Sequence, residues 1–304
     1  MKAAADSSSG LGFEEETLTR YVIITPVRDE EEYIGSTIQS VCHQTVRPAE
    51  WIIVNDGSTD RTGEIVDRFA AEQPWIKPVH RKNRGFRKPG GGVMEAFYEG
   101  YKVIQHHDWE FLVKLDADLT FDPDYFEKCF RHFQQDPKLG IGGGEIRHEI
   151  AGEMKAENNP SFHVRGATKI YRRDCWEAID GLWSASGWDT IDEVKANMKG
   201  WRTHTFTELG LFHHRFTGAE EGLLRDRVKH GVACYVSGYH PLFVAASCAR
   251  RLVQKPRVIG SLAIMYGFLK AHVTGPSRLR DRSYLAYIRS QQLRRLCGMQ
   301  TIWK

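Results

Sequence analysis

The sequence predicts an α/β protein, a mostly parallel sheet flanked by helices, with a helical C-terminal extension. Three observations predict it. Short, largely apolar runs at Tyr21–Pro26, Trp51–Val54 and Phe111–Leu115 have the character of buried strands. The runs are followed by turn chemistry or carboxylates, and the first two then lead into apolar residues at helical spacing. From Gly218 the character changes, and Leu223, Leu224, Val228, Val232 and Tyr235 read as a helix.

The totals bound the answer. A chain of 304 residues allows one large or two smaller domains with an ample core. Hydrophobic content of 41%, charged content of 27% and a net charge of +3 are ordinary for a soluble globular protein. The six cysteines are widely spaced, without Cys-x-x-Cys, so neither a zinc site nor a disulfide framework is indicated. A reducing, cytoplasmic setting is expected. Residues 1–19 are Ala-, Ser- and Glu-rich and read as a disordered tail rather than a signal peptide. No apolar window is long enough for a spanning helix.

The first strand stops at Pro26. Arg28, Asp29, Glu30, Glu31 and Glu32 follow, then Ile34, Ile38 and Val41 at helical spacing. The acidic cluster suits a first helical turn, where the helix dipole favours carboxylates. Asp29 and Glu30 also lie where open α/β sheets bind ligands, at the carboxyl end of a strand. After Trp51–Val54, Asn55-Asp-Gly-Ser is turn chemistry, and Gly57 lets the chain turn sharply with Asp56 at the strand tip. Thr59 or Asp60 can cap the next helix. Pro78–His80 is a short third strand. Asn83 to Gly92, with Arg84 and Gly91, is a basic, glycine-rich loop of the kind that approaches phosphates. A helix with Val93, Ala96, Phe97, Tyr101 and Ile104 inward follows it. Neither a Walker A pattern nor Gly-x-Gly-x-x-Gly is present, which removes support from P-loop and classical dinucleotide readings.

Phe111–Leu115 ends in Asp116-Ala-Asp118. Two carboxylates two residues apart leave an extended chain on one face. They repel unless a cation lies between them, and a hard divalent ion suits such oxygen ligands. The plainer reading is a solvated turn. Asp124–Gln135 is a helix with Tyr125, Phe126, Cys129, Phe130 and Phe133 inward. Ile141–Ile146 is a glycine-rich strand with room for a close ligand or backbone approach. Gly166–Arg173 is a further strand, and Asp174 caps the helix Cys175–Ile179. Trp183–Thr190 is a loop, Ile191–Lys199 a helix, and Thr203–Leu211 a last strand ending in His213-His214-Arg215.

These residues resemble family 2 glycosyltransferases of the GT-A fold over about residues 20–215. Pro26-Val-Arg-Asp-Glu30 is similar to the family's Pro-x-x-Asn-Glu, with Asp29 for the usual Asn. Val54-Asn-Asp-Gly-Ser-Thr-Asp60 is close to its Val-Asp-Asp-Gly-Ser-Thr-Asp. Asn83-Arg-Gly85 and the glycines before Ala96 resemble its basic loop, and Asp116-Ala-Asp118 its Asp-x-Asp. The resemblance implies a Rossmann-like nucleotide half plus an acceptor half. It implies metal-dependent, inverting transfer from a nucleotide-sugar donor to a sugar or lipid-linked hydroxyl acceptor, in polysaccharide or glycolipid assembly. Pro26, Asp29, Glu30, Asp56, Asn83, Arg84, Gly91 and Asp116 would contact substrate, with charge from Arg87 or Lys88 besides Arg84. Asp118, with His213 and His214, would hold Mg²⁺ or Mn²⁺. The acceptor half departs from the pattern. Eleven residues before Gly200-Trp201 stands Asp189, preceded by Trp188 where an acid is usual. The general base is therefore Asp189 first and Asp192 second. The Gln-x-x-Arg-Trp of processive synthases is absent, and His214-Arg-Phe-Thr-Gly218 stands nearby.

The division predicted is a tail 1–19, a catalytic domain 20–217 and a basic helical region 218–304. From Ser247 to the end there are twelve Lys or Arg and one acid, Asp281. With Leu262, Ile264, Met265, Phe268 and Leu269, this segment suits peripheral attachment to the inner face of an anionic membrane, or a structural cap with a solvated basic face. No nucleic-acid-binding motif appears. Two other readings fit part of the pattern: a nucleotidyltransferase, and a non-catalytic nucleotide- or carbohydrate-binding module.

Overall fold

A computed structural model describes residues 19–86, 91–150, 152–157, 159–184, 187–215, 222–253, 256–276 and 278–303. Arg87, Lys88, Phe216–Gly218 and all but the last residue of the predicted tail lie outside them. In chain order the elements are β1 (Tyr21–Val27), α1 (Ile34–Cys42), β2 (Glu50–Asn55), α2 (Thr62–Glu72), β3 (Ile76–His80), α3 (Gly91–Lys102), β4 (Phe111–Leu115), β5 (Leu119–Phe121) and α4 (Tyr125–Gln135). There follow β6 (Leu139–Ile150), β7 (Glu153–Ala156), β8 (Thr168–Arg172), α5 (Arg173–Ala178), α6 (Trp188–Met198) and β9 (Arg202–His213). The C-terminal helices are α7 (Leu223–Val236), α8 (Pro241–Arg250), α9 (Arg257–Thr274) and α10 (Arg282–Leu296).

The strands form one sheet in the order β3-β2-β1-β4-β8-β6-β9-β5, with β7 paired to β6. The first four strands of that order run parallel, so their carboxyl ends share one edge. Beyond β4 the sheet is mixed: β8 runs antiparallel to β4, and β6 pairs antiparallel with β8 and parallel with β9. Alternation puts Tyr21 and Ile23 in one core with α1, α2 and α4. Val22 and Ile24 join the other, with α3 and α5.

Several expectations shift. The acidic run 29–32 precedes α1, whose first turn holds no acid. Val93 faces out and Met94 packs inward. Asp174 lies inside α5 rather than capping it. Trp188 to Thr190 open α6 instead of ending a loop. The glycines of β6 admit protein, not ligand: a Cβ on Gly144 would lie 2.3 Å from the Leu209 carbonyl oxygen. In α9, Ile264 and Phe268 are buried against neighbouring helices, so only part of the apolar segment faces out.

Helix α3 lies against β1 and β2 through Gly100, where an added Cβ would meet Ile24 Cγ2 at 2.8 Å and Val54 Cγ2 at 2.9 Å. Gly100→Val should therefore overpack this contact and cost about 1–3 kcal/mol. Denaturant unfolding should show a lower midpoint with an unchanged slope.

Candidate active site

The parallel register sets the tips of β1, β2 and β4 side by side, so Asp29, Glu30, Asp56, Asp116 and Asp118 all follow one edge of the sheet. Pro26 lies within β1, paired with Val54. The loops after β1 and β2 are laced together. Asp29 takes a left-handed conformation (φ 55°), which Asn and Asp tolerate better than most residues. Its backbone N–H donates to Ser58 Oγ at 3.0 Å, and its Oδ1 accepts from the Thr59 N–H at 2.8 Å. Glu30 N–H donates to Thr62 Oγ1 at 2.8 Å, while Arg215 donates to Glu30 Oε2 at 2.7 Å. Asp29 is thus a loop anchor.

Asp56 is buried at the tip of β2. Arg81 donates to its Oδ1 at 2.6 Å, and Arg84 to its Oδ2 at 2.5 Å. Gly57, with φ 73°, lets Asn83 come so near that a Cβ would lie 2.4 Å from the Asn83 Cα. Asn83 Oδ1 accepts from Arg28 and from the Gly85 N–H. Gly91 is buried at the start of α3.

Asp118 reaches its partner through β5, which pairs antiparallel with β9 so that Leu119 faces His213. His213 Nε2 lies 3.0 Å from Asp118 Oδ2, and both groups are buried. Burial works against charge on each. The hydrogen bond and opposite charge prevail, so Asp118 is held below the usual carboxylate range and His213 above the usual imidazole value. His213 Nδ1 is buried without a hydrogen-bond partner among the described residues. His213, His148 and Glu157 also offer ligand atoms within 4.8 Å of one another. Carboxylate oxygen with imidazole nitrogen is a donor set that fits a divalent cation. His214 does not join it: its Nε2 lies 3.1 Å from Thr120 Oγ1 and its ring stacks on Tyr33.

The other wall is the first turn of α6. Lys169 of β8, fully buried, donates to the Asp189 carbonyl at 2.6 Å, to both Asp192 oxygens at 2.9 Å and to Glu193 Oε1 at 3.1 Å. Tyr171 donates to Asp192 Oδ2 at 2.5 Å. Asp192 is thus fully buried, with both carboxylate oxygens engaged by Lys169 and Tyr171. Asp189 is partly exposed. Burial pushes its carboxyl up, but Lys169, His163 and Arg165 outweigh this and hold it below the usual range. Trp188 takes up the departure from the expected acid: its ring lies 5.4 Å from Lys114 Nζ and 5.6 Å from Lys169 Nζ. A ring face between two ammoniums supplies attraction without a charge. Lys114 in turn donates to the Gly166 carbonyl at 2.6 Å and to Asp116.

Lys114, Lys169, His148 and Glu157 belong to no motif that the sequence offers. The lysines carried a signal. Lysine is almost never fully buried unless paired, so one inside a doubly buried strand demands a carboxylate nearby. Lys169→Met should leave Asp192 and Glu193 without their cation and cost about 3–5 kcal/mol in equilibrium unfolding. A loss under 1 kcal/mol would mean the network is not holding α6.

The model of the family described as glycosyl transferase family 2 matches residues 22–177, just over half of the chain. The glycosyltransferase EpsH of Bacillus subtilis is 27% identical over 217 residues, which is 64% of this chain and 60% of EpsH. EpsJ of the same organism is 40% identical over 171 residues, 53% of this chain and 50% of EpsJ. The chain therefore spans less than two thirds of these relatives. Among solved structures, the mannosyltransferase PcManGT of Pyrobaculum calidifontis, in complex with GDP-Man and Mn²⁺, superposes with a TM-score of 0.53 at 16% identity, covering 92% of this chain and 88% of that one. That likeness shows the GT-A fold. Together with the family match, it makes this chain a member of the family 2 glycosyltransferases.

Proposed function

We propose that the protein transfers a sugar from a nucleoside-diphosphate donor to an acceptor hydroxyl in a single inverting displacement, in polysaccharide or glycolipid assembly. One observation carries the reading. Asp118 pairs with His213, Lys114 joins the neighbouring Asp116 to the Gly166 carbonyl, and Gly166 lies against Trp188 and Asp189, whose carboxyl is held below the usual range. The donor complex of PcManGT and the names of EpsH and EpsJ support it.

The donor lies at the tips of β1, β2 and β4. Asp56, Asn83 and Arg84 face the nucleoside, with Pro26, Glu30 and Gly91 shaping the pocket, and the diphosphate is turned toward Asp116 and Asp118. Asp118 and His213 would hold Mg²⁺ or Mn²⁺, which neutralises charge developing on the diphosphate leaving group. Asp189 takes the proton of the acceptor hydroxyl. The acceptor oxygen then bonds to the anomeric carbon from the face opposite the diphosphate. The carbon–oxygen bond to phosphate breaks, and nucleoside diphosphate leaves. Attack from the opposite face inverts the anomeric centre. Release of nucleoside diphosphate rather than pyrophosphate separates this from nucleotidyl transfer. We further infer that the acceptor is met at the cytoplasmic face of a membrane, through the basic helical region 218–304.

Asp118→Asn keeps the shape of the side chain and removes its charge. Calorimetric titration of UDP and GDP should show Mn²⁺-dependent binding in the parent and none in the variant, with unchanged circular dichroism. Unaltered Mn²⁺ dependence would remove Asp118 from the metal site.

Asp189→Asn should lower kcat about a hundredfold or more, the scale of a lost general base, with the donor KM nearly unchanged. In the parent the base is active when ionised, and its carboxyl is held below the ordinary value of about 3.9. Between pH 7 and 5 this group should therefore impose no acid limb on kcat/KM. An acid limb above pH 5 that disappears in Asp189→Asn would contradict the depressed value.

A further inference from the structure

Helix α9 carries Val258, Ile259, Leu262, Tyr266, Leu269 and Val273, all between 51% and 88% exposed. At 100° per residue these six fall within an arc of about 100°, a single stripe roughly 22 Å long. The opposite face is committed elsewhere. A Cβ on Gly267 would lie 2.1 Å from the Val228 carbonyl oxygen, and one on Gly231 would lie 2.0 Å from that of Ile264. Helices α7 and α9 therefore meet backbone to backbone, and α9 cannot roll to hide its stripe. Contiguous exposed apolar surface of this kind marks an interaction site.

Charge selects the occupant. Helix α9 bears Arg257 and Lys270, both exposed, and no acid. Exposed Arg250 and Arg280 lie in the flanking segments. The stretch from Ser247 onward has twelve basic residues against one acid. An apolar stripe with basic flanks fits an anionic bilayer, with the apolar side chains at the acyl boundary and the cations among headgroups. No helix among the described residues is long and apolar enough to cross a membrane.

The helices are also tied to the acceptor wall. Gly187, which precedes α6, lies against α7, where its Cβ would be 2.7 Å from Ser237 Oγ. Helix α10 packs on α6 through Tyr284 and Ile288 against Ile191 and Val194. We propose that the exposed stripe of α9 docks on an anionic membrane surface and brings Asp189 to an acceptor anchored in that membrane. The acceptor clause rests on Asp189 being the base proposed above.

The experiment is co-sedimentation of the full chain with vesicles of phosphatidylcholine alone and with added phosphatidylglycerol, beside the double variant Leu262→Glu, Leu269→Glu. The parent should bind the anionic vesicles more tightly. Added salt should weaken that binding without abolishing it, because the ionic part is screened and the apolar part is not. The variant should bind at least about tenfold more weakly, from the lost apolar burial, with unchanged circular dichroism and unchanged UDP and GDP binding. Equal binding by both proteins, or none by either, overturns the proposal. So does a dimer in sedimentation velocity that the variant abolishes, which would assign the stripe to a second copy. Vesicle binding without nucleoside diphosphate release from nucleotide sugars would leave the docking surface standing and remove the transfer reading. Release unaccompanied by binding would do the opposite.

Discussion

The Lys169 ammonium is fully buried between β8 and α6, and the first turn of α6 depends on keeping it charged there. Removing such a group from water costs several kcal/mol, repaid only by good geometry and satisfied donors. Here oxygens of Asp189, Asp192 and Glu193 receive it, and the Trp188 ring lies over it. The three donors also set the orientation of α6. They hold its first turn against the sheet, with Asp189 half-buried beside them. Positive charge around Asp189 then keeps it ionised despite the burial of its surroundings.

The loops after β1 and β2 are held by a different device. They follow strands that end together, and they exchange hydrogen bonds between backbone and side chain. Asp29, Glu30, Ser58, Thr59 and Thr62 spend polar groups on one another. Arg81 and Arg84 converge on Asp56 from the far side. The three-residue β5, at the end of the sheet, brings Asp118 beside His213 from a distant part of the chain.

Most of the architecture was legible in the sequence because its signals are local. Runs such as Tyr-Val-Ile-Ile and Trp-Ile-Ile-Val are too apolar to lie anywhere but between two layers, and they became β1 and β2. Asp116-Ala-Asp118 reads as a strand tip from its neighbours alone. Misreadings fell where local preference was overruled. No apolar run marks Leu119–Phe121 as a strand, yet it pairs because β9 offers it an edge. The acidic run 29–32 has the composition of a first helical turn, yet its neighbours at Ser58 to Thr62 claim its backbone donors.

By itself the sequence determined the sheet-forming segments, the carboxylates at their tips and the basic, apolar character of the C-terminal helices, since each follows from the chemistry of adjacent residues. Only the tertiary structure decided which groups meet. Two consecutive histidines at the end of a strand point to opposite faces, so His213 pairs with Asp118 while His214 packs on Tyr33. Asp189 and Asp192, three residues apart on one helix, part company because Lys169 and Tyr171 rise beneath only one of the two carboxylates. Which face of α9 remains open was settled by glycines that let it meet α7 backbone to backbone, a contact between segments whose approach no local pattern records.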